Sequence, residues 1–301
     1  MGELFHIFSD GSCDLPTELA EEKNITVVPF YVSFDHKSYY KEKLEIGIRD
    51  FYQKMVDEPK NFPKSSMPSP QDYMDAFLPY VESGMPVVCI CITTKFSGSY
   101  QSACNAKEMI LEDYPDAKIA VINSMINTVC QGLYVLEAAK LRDAGWDFEK
   151  SVERLEEIKK TGRIFFTVGS IDYLAKGGRI GKVAAVATNV LGIRPIITLK
   201  EGEIFASGIS RGRKNSLLKS RNLLLEHFKN PHINPDDYVI DIGFGYDYEE
   251  AVAWRSEIVE MLNDNGYPIT ESRISLYQIG AAISVHTGPY AMGVAIVQKA
   301  L

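Results

Sequence analysis

Three polar segments of the sequence carry residues that could hold a small anion. Ser97 and Ser99 lie in the first, FSGSYQSA, which follows the apolar run VVCICI and precedes a helical pattern. Free backbone N–H groups, serine hydroxyls and the positive end of a helix dipole all favour an anion at such a junction. A helix cap formed by either serine is an equally good interpretation of this segment taken alone.

The other two segments offer further hydroxyls and an imidazole. Ser65 and Ser66 lie in KSSMPSPQDY, where two prolines stiffen the backbone and Ser69 opens a helical pattern. His286 lies in VHTGPYAMG, before a Gly-Pro turn and a final apolar run. The alternative interpretations are a helix cap in the segment KSSMPSPQDY and a purely structural role for His286. A Ser97 and His286 pair could also hydrolyse esters, although the chain has no G-x-S-x-G nucleophile elbow.

Other polar groups have simpler interpretations. Asp10 and Asp14 in SDGSCDLP could form an acid/base pair, but we favour a turn and cap role for Asp14. The segment DYLAKGGRIGK departs from the phosphate-loop pattern, and Val183 stands where that pattern needs a hydroxyl, which argues against nucleotide binding. Two interpretations fit the basic cluster Arg211, Arg213, Lys214, Lys219 and Arg221. It is either a solvated helix face or a docking surface for a phosphate-handling partner.

Composition narrows the class of protein. The chain has 301 residues, 46% of them apolar, and a net charge of −8, which argues against nucleic acid as a partner. Its five cysteines form no C-x-x-C pair, so we expect reduced thiols and neither disulfides nor a metal site. No apolar run is long enough to span a bilayer, and MGELFHIFSDGS does not have the pattern of a signal peptide. We therefore expect a cytoplasmic protein.

Strand-like and helical patterns alternate along the chain, which predicts an α/β fold. The first part, with runs such as LFHIFSD, ITVVPFYVSF, MPVVCICI and AKIAVIN, predicts a mostly parallel sheet. The later part predicts an α+β arrangement with a mixed sheet and a hairpin turn at Lys200–Glu203. We interpret the chain as two α/β domains, residues 1–162 and 163–301, with a ligand site between them.

Taken in order, the motifs resemble those of the DegV family, bacterial fatty-acid-binding proteins that serve as the B component of fatty acid kinase. The resemblance covers essentially the whole chain and rests on the segments SDGSCDLP, VVPFYVSF, KSSMPSP, TTKFSGSYQSA, IDYLAKGGRIG, RPIITLKEGEI, VHTGP and MGVAIV. It implies a long-chain fatty acid in an interdomain tunnel. The carboxylate would be held by Ser65 and Ser97, by backbone N–H groups around Gly98 and Ser99, and by His286.

The same resemblance implies a function and places further residues near the ligand. Arg179 and Arg211 would face the head group or the partner. Met67 and Tyr290 depart from the family pattern, and Tyr290 adds a ring near the head group. The implied protein is not an enzyme and needs no cofactor. It presents the fatty acid to a separate kinase for acyl phosphate formation, with no integral membrane segment but transient contact with a membrane surface. The alternatives are a serine hydrolase and a carrier of another apolar carboxylate.

Overall fold

The structure, a computed structural model, describes residues 4–186 and 193–301. Residues 1–3, the start of the segment MGELFHIFSDGS, lie outside these ranges. Helices and strands alternate up to the middle of the chain. They are β1 His6–Asp10, α1 Thr17–Glu22, β2 Ile25–Val28, β3 Tyr31–Ser33, β4 Tyr40–Lys41, α2 Ile48–Asp57, β5 Lys64–Ser66, α3 Pro70–Glu82, β6 Val87–Cys91, α4 Ser99–Asp113, β7 Ile119–Asn123, α5 Thr128–Asp143 and α6 Phe148–Ile158.

The later part of the chain contributes a further set of strands and helices. They are β8 Arg163–Thr167, α7 Asp172–Lys176, β9 Ile193–Lys200, β10 Glu203–Arg211, α8 Arg213–Phe228, β11 Tyr238–Phe244, α9 Tyr248–Asp264, β12 Ile274–Gln278, α10 Ala281–Thr287 and β13 Met292–Gln298.

The first sheet is parallel, with the strand order β2-β1-β6-β7. Every residue of β6 is buried, because helices cover both faces of the sheet and its sequence VVCIC is apolar on both sides. α3 and α4 cover one face, whereas α5 lies on the other and also contacts β11 and β13. The carboxyl ends of the strands share one edge, and the segment containing Ser97 leaves β6 at that edge. The expected parallel sheet is thus confirmed.

One predicted strand is in fact two. ITVVPFYVSF was expected to be continuous, but β2 joins the parallel sheet while β3 belongs to a small antiparallel sheet with the order β4-β3-β5. Pro29 separates them, because proline has no N–H for a sheet hydrogen bond and restricts the backbone. This break carries the chain away from the parallel sheet and lets β3 pair with β5, which contains Ser65.

The second sheet is mixed, as predicted, with the order β10-β9-β8-β13-β11-β12. Its pairs are antiparallel except β11 with β12. The expected hairpin turn joins β9 to β10 through Glu201 and Gly202, whose φ angles of 53° and 83° are the left-handed values that such tight turns require. α8 and α9 cover one face of this sheet, and the other face turns toward α5.

A large core cluster contains residues from both parts of the chain. α10, from the later part, packs against α2, β3 and β5 of the earlier part. The proposed domain boundary at residue 162 stays a prediction. Among the described residues, the structure contains no helix with the length and apolar content that crossing a bilayer requires.

Candidate functional site

Ser97 lies between the end of β6 and the start of α4. Gly98 is the N-cap residue of that helix and makes no side-chain cap, while the Ser99 N–H donates to Ser97 Oγ at 3.2 Å. Ser97 is half-buried, and its Oγ is an acceptor in this hydrogen bond, so its own hydroxyl hydrogen remains available for a ligand. Neither serine is the N-cap residue of α4, but Ser97 Oγ accepts from the first N–H of that helix, so the capping interpretation holds in part for Ser97.

Ser65 and His286, which are far apart in the sequence, meet in the structure. Ser65 Oγ lies 3.0 Å from His286 Nε2. Ser65 is positioned by the pairing of β5 with β3, and His286 lies in the last turn of α10. Burial lowers the pKa of His286 to about 4, and the positive charge of Arg179 acts in the same direction. The imidazole is therefore neutral at pH 7, with one donor and one acceptor nitrogen.

An apolar cavity begins beside these groups. Ser65, Ser97, Gly98 and His286 line it, together with Arg179. Its space between protein atoms, including the part open to solvent at the mouth, is about 1050 Å³. Most of the remaining wall is apolar and comes from both parts of the chain: Phe30, Met67, Ile92, Phe96, Val129, Ile164, Phe166, Leu174, Leu199, Ile204, Gly243, Ile279, Ala282, Ile283, Ala291, Met292, Gly293 and Ala295.

This arrangement can bind an amphipathic molecule. Apolar walls favour a hydrocarbon, and two hydroxyls beside a neutral imidazole can orient an acidic head group. The described residues form a cavity with a mouth. The expected tunnel between two domains stays a prediction. Within residues 4–186 and 193–301, no group of His, Cys, Asp or Glu side chains could hold a metal ion.

The structure does not bring every predicted site residue to the cavity wall. The Ser99 hydroxyl is buried, donates to Asp10 Oδ2 at 2.7 Å and lies 2.6 Å from the Tyr73 hydroxyl. Arg211 is at the exposed end of β10, and Tyr290 is exposed, with its carbonyl accepting from Arg213 at 2.7 Å. None of the three contributes to the described wall of this cavity.

Arg179 is held at the mouth by backbone groups. Its Nε donates to the Phe96 carbonyl at 3.0 Å, and its Nη1 donates to the Gly177 carbonyl at 2.7 Å. These bonds connect the segment after α7 to the segment that contains Ser97. Partial burial lowers the pKa of Arg179, although an arginine stays charged at neutral pH. Arg179 therefore braces the mouth through backbone carbonyls.

Asp10 positions the start of α4 from inside the protein. It accepts hydrogen bonds from Ser12, from the Ile92 N–H, from Ser99 and from Gln131, at 2.5 to 3.0 Å. Burial raises the pKa of Asp10, while these hydrogen bonds oppose the rise. These contacts hold the Asp10 side chain at the carboxyl edge of the sheet, and it makes no cap for the turn that follows it.

Two further buried carboxyl groups, those of Asp14 and Glu42, lie beside the start of α10. Asp14 accepts from the Thr128 hydroxyl at 2.5 Å, and Glu42 accepts from the Ala282 N–H at 3.0 Å. Burial raises the pKa of Asp14 to about 7 and that of Glu42 to about 8, and the mutual repulsion of the two groups adds to the rise for Glu42. Asp14 ends the turn Gly11–Cys13 with a φ angle of 54°, which confirms the turn role expected for it, whereas the N-cap residue of α1 is Pro16.

The sequence did not indicate that Glu42 is buried. It lies in the charged run YKEKLE, which is typical of a solvated surface, and no pattern in that run indicates burial. Its carboxyl group holds the start of the helix that carries His286, so it positions the site without touching the cavity.

Fold and site together define an α/β protein with an apolar cavity that ends at hydroxyl and imidazole groups. A family model described as an uncharacterised protein of the DegV family matches residues 4–299. A DegV domain-containing protein of Clostridium acetobutylicum is 29% identical over 297 residues, 99% of each chain. Another, from Caldanaerobacter subterraneus, is 30% identical over 297 residues, 99% of this chain and 100% of that one. The chain belongs to the DegV family, as the sequence motifs predicted.

Solved structures of fatty-acid-binding proteins have the same fold. A stearic-acid-binding protein of Eubacterium ventriosum is 43% identical, with a TM-score of 0.92 over 98% of this chain and 99% of that chain. A fatty-acid-binding DegV family protein of Thermus thermophilus is 28% identical, with a TM-score of 0.84 and the same coverage.

Proposed function

We propose that this protein binds a long-chain fatty acid and presents its carboxylate to a separate, ATP-using fatty acid kinase, which forms the acyl phosphate. The observation that carries the proposal is the apolar cavity that ends at Ser65, Ser97 and His286. The fatty acids bound by the similar proteins of Eubacterium ventriosum and Thermus thermophilus support it. The proposal needs no cofactor in this chain and places it in the cytoplasm, where ATP is available.

The tail supplies most of the binding free energy in this proposal. A sixteen-carbon acid has about fourteen methylene groups, and burial at about 0.8 kcal/mol each gives about 11 kcal/mol before the costs of association. Hydrogen bonds from neutral groups to a carboxylate add about 1.5–3 kcal/mol each. The head-group contacts therefore set which end of the ligand faces the mouth.

The chemistry of the head-group site suits transfer to a second protein. Hydroxyl groups and a neutral imidazole bind a carboxylate without the bidentate clamp that a free guanidinium would provide. Arg179 lies close by, but it already donates to the carbonyls of Phe96 and Gly177. A carboxylate held by Ser65 and Ser97 keeps an oxygen that can attack a phosphoryl group.

Hydrolysis is less well supported by the geometry. His286 contacts Ser65 rather than Ser97, the nucleophile of the alternative hypothesis. Within the described parts of the chain, no carboxylate hydrogen-bonds to His286, so the group that orients a catalytic base in a triad is missing. A carrier of a different apolar carboxylate would use the same cavity and differs only in the identity of the ligand.

Organic extraction and mass spectrometry of the purified protein test the binding proposal. We expect about one fatty acid per chain, and a large loss of it in the double variant Ser65→Ala with Ser97→Ala. Ser66→Ala is the matched control, because Ser66 is the exposed neighbour of Ser65 on β5 and does not line the cavity. Unchanged lipid content in the double variant would contradict the head-group assignment, and a different carboxylate in the extract would favour the carrier alternative.

The kinase step has its own test. Loaded protein mixed with ATP should form no acyl phosphate, which hydroxylamine traps as a hydroxamate, until a fatty acid kinase catalytic subunit is added. Acyl phosphate formed by this protein and ATP alone would show that the chain is itself the kinase. Release of alcohol from a chromogenic acyl ester, abolished by Ser97→Ala, would instead support the hydrolase.

A further inference from the structure

Met67 lies at the mouth of the cavity, next to the head-group site. It lines the cavity with Ser65, Ser97 and Gly98, yet 43% of its surface is exposed to solvent. A Cβ atom built on Gly98 would lie 2.7 Å from Met67 Sδ and 3.1 Å from its Cε. The end of the Met67 side chain therefore rests on the Gly98 backbone, and part of the side chain faces the solvent.

Gly98 makes room for this contact. Its φ and ψ angles of −81° and 5° are open to any L-residue, so the backbone conformation does not require glycine. What a larger residue would disturb is the Met67 thioether. The absence of a side chain at position 98 thus allows Met67 to lie flat on the start of α4.

The backbone that carries Met67 is fixed on its carboxyl side. Pro68 follows it directly, and the Ser102 hydroxyl donates to the Pro68 carbonyl at 2.8 Å. Ser69 and Asp72 then form a reciprocal capping box at the start of α3. Hydrogen bonds hold the backbone that follows Met67. The part of this residue that can move is therefore its side chain, which has three rotatable bonds.

A thioether has no hydrogen to donate. On the side covered by Met67, a bound carboxylate receives no hydrogen bond from this residue and is also shielded from water. We propose that Met67 is a movable cover, which keeps the carboxylate inaccessible until its side chain leaves Gly98. This proposal rests on the proposed fatty-acid binding and adds the residue that controls access to the reactive oxygen.

Chemical labelling of the bound ligand tests this role. Protein loaded with a saturated fatty acid is treated with a water-soluble carbodiimide and an amine, and the fatty amide is extracted and quantified by mass spectrometry. A minor open state is populated at about 10% or less, so removing the cover by Met67→Ala should raise the rate at least about tenfold. Met67→Leu keeps an apolar cover and should behave like the wild-type protein.

Gly98→Ala is an independent test, because its Cβ would displace the thioether while Met67 itself remains. It should also accelerate labelling. Met109→Ala is the matched control: Met109 lies on α4, is 46% exposed and does not line the cavity, so its loss should leave the rate unchanged. Thermal unfolding and bound fatty acid are measured on every sample.

The outcomes separate the two proposals. Normal fatty-acid content with wild-type labelling rates in Met67→Ala and Gly98→Ala overturns the cover assignment alone. Equal acceleration in Met109→Ala overturns it as well, because the effect would then be unspecific. Absence of fatty acid from every protein, including the wild type, overturns both the cover and the proposed function.

Discussion

Ala295→Leu should shorten the longest fatty acid that the cavity accepts. Ala295 is 1% exposed and lines the cavity on β13. Ala291, which also lines the cavity, is only five residues beyond His286, and four residues of extended chain span about 13 Å. We therefore expect Ala295 to lie beside the tail of the ligand.

The size of the effect follows from the added side-chain atoms. Leucine has three more carbon atoms than alanine and takes the space of about three methylene groups of the ligand. Losing their burial costs about 2.4 kcal/mol, which corresponds to an increase of about 50-fold in Kd for the longest acid. An acid shorter by about three carbons does not need that space and should bind the variant and the wild type alike.

Displacement of a fluorescent fatty acid by saturated acids of increasing length measures this preference. Ala251→Leu is the control, because Ala251 is equally buried but belongs to the cluster on the other face of the second sheet. Overpacking costs about 1–3 kcal/mol of stability at either position, so both variants should have a lower Tm. Only Ala295→Leu should change the dependence on length, and equal weakening for every acid would refute the placement of the tail.

Two further perturbations test the groups behind the head-group site. The pKa of Glu42 is raised from 4.5 to about 8 by burial, so the folded state holds a proton that the unfolded chain releases between these values. Stability should therefore fall as pH rises through this window, by at least about 1 kcal/mol, roughly the equivalent of one pKa unit. Glu42→Gln should flatten the dependence of Tm on pH, and an unchanged slope would contradict this. Gly177→Ala should weaken fatty-acid binding about tenfold, because the new methyl group overlaps His286 Nδ1 and separates the imidazole from Ser65. A fatty acid methyl ester, which has no carboxylate, is the control ligand, and equal weakening of both ligands would point to a collapsed cavity.

Much of the fold is readable from the sequence because its patterns are local. The runs VVCIC and IAVIN are apolar on both sides, and the structure confirms them as buried or half-buried strands of a parallel sheet. Ser69 and Asp72 form the capping box that their spacing allows. What could not be predicted is the partner of each strand: β2 and β3 lie in one apolar run, yet they join different sheets on either side of Pro29.

The site was predicted in part, for a related reason. Ser65, Ser97 and His286 were named from motifs, and the structure places all three at one cavity. Sequence could not show that the Ser99 hydroxyl turns inward to Asp10, because that contact joins residues 89 positions apart. Neither could it show Glu42 beneath α10, since burial of a charged side chain depends on distant backbone N–H groups.

The hydrogen bond between Ser65 and His286 has a consequence for biosynthesis. The two residues are 221 positions apart. A chain emerging from the ribosome therefore completes Ser65 long before the imidazole that faces it exists. During translation β3, β4 and β5 are completed early, but the head-group site cannot close until α10 has been made and has docked against β3 and β5. In the proposed function, firm retention of a fatty acid therefore requires that synthesis has passed residue 286.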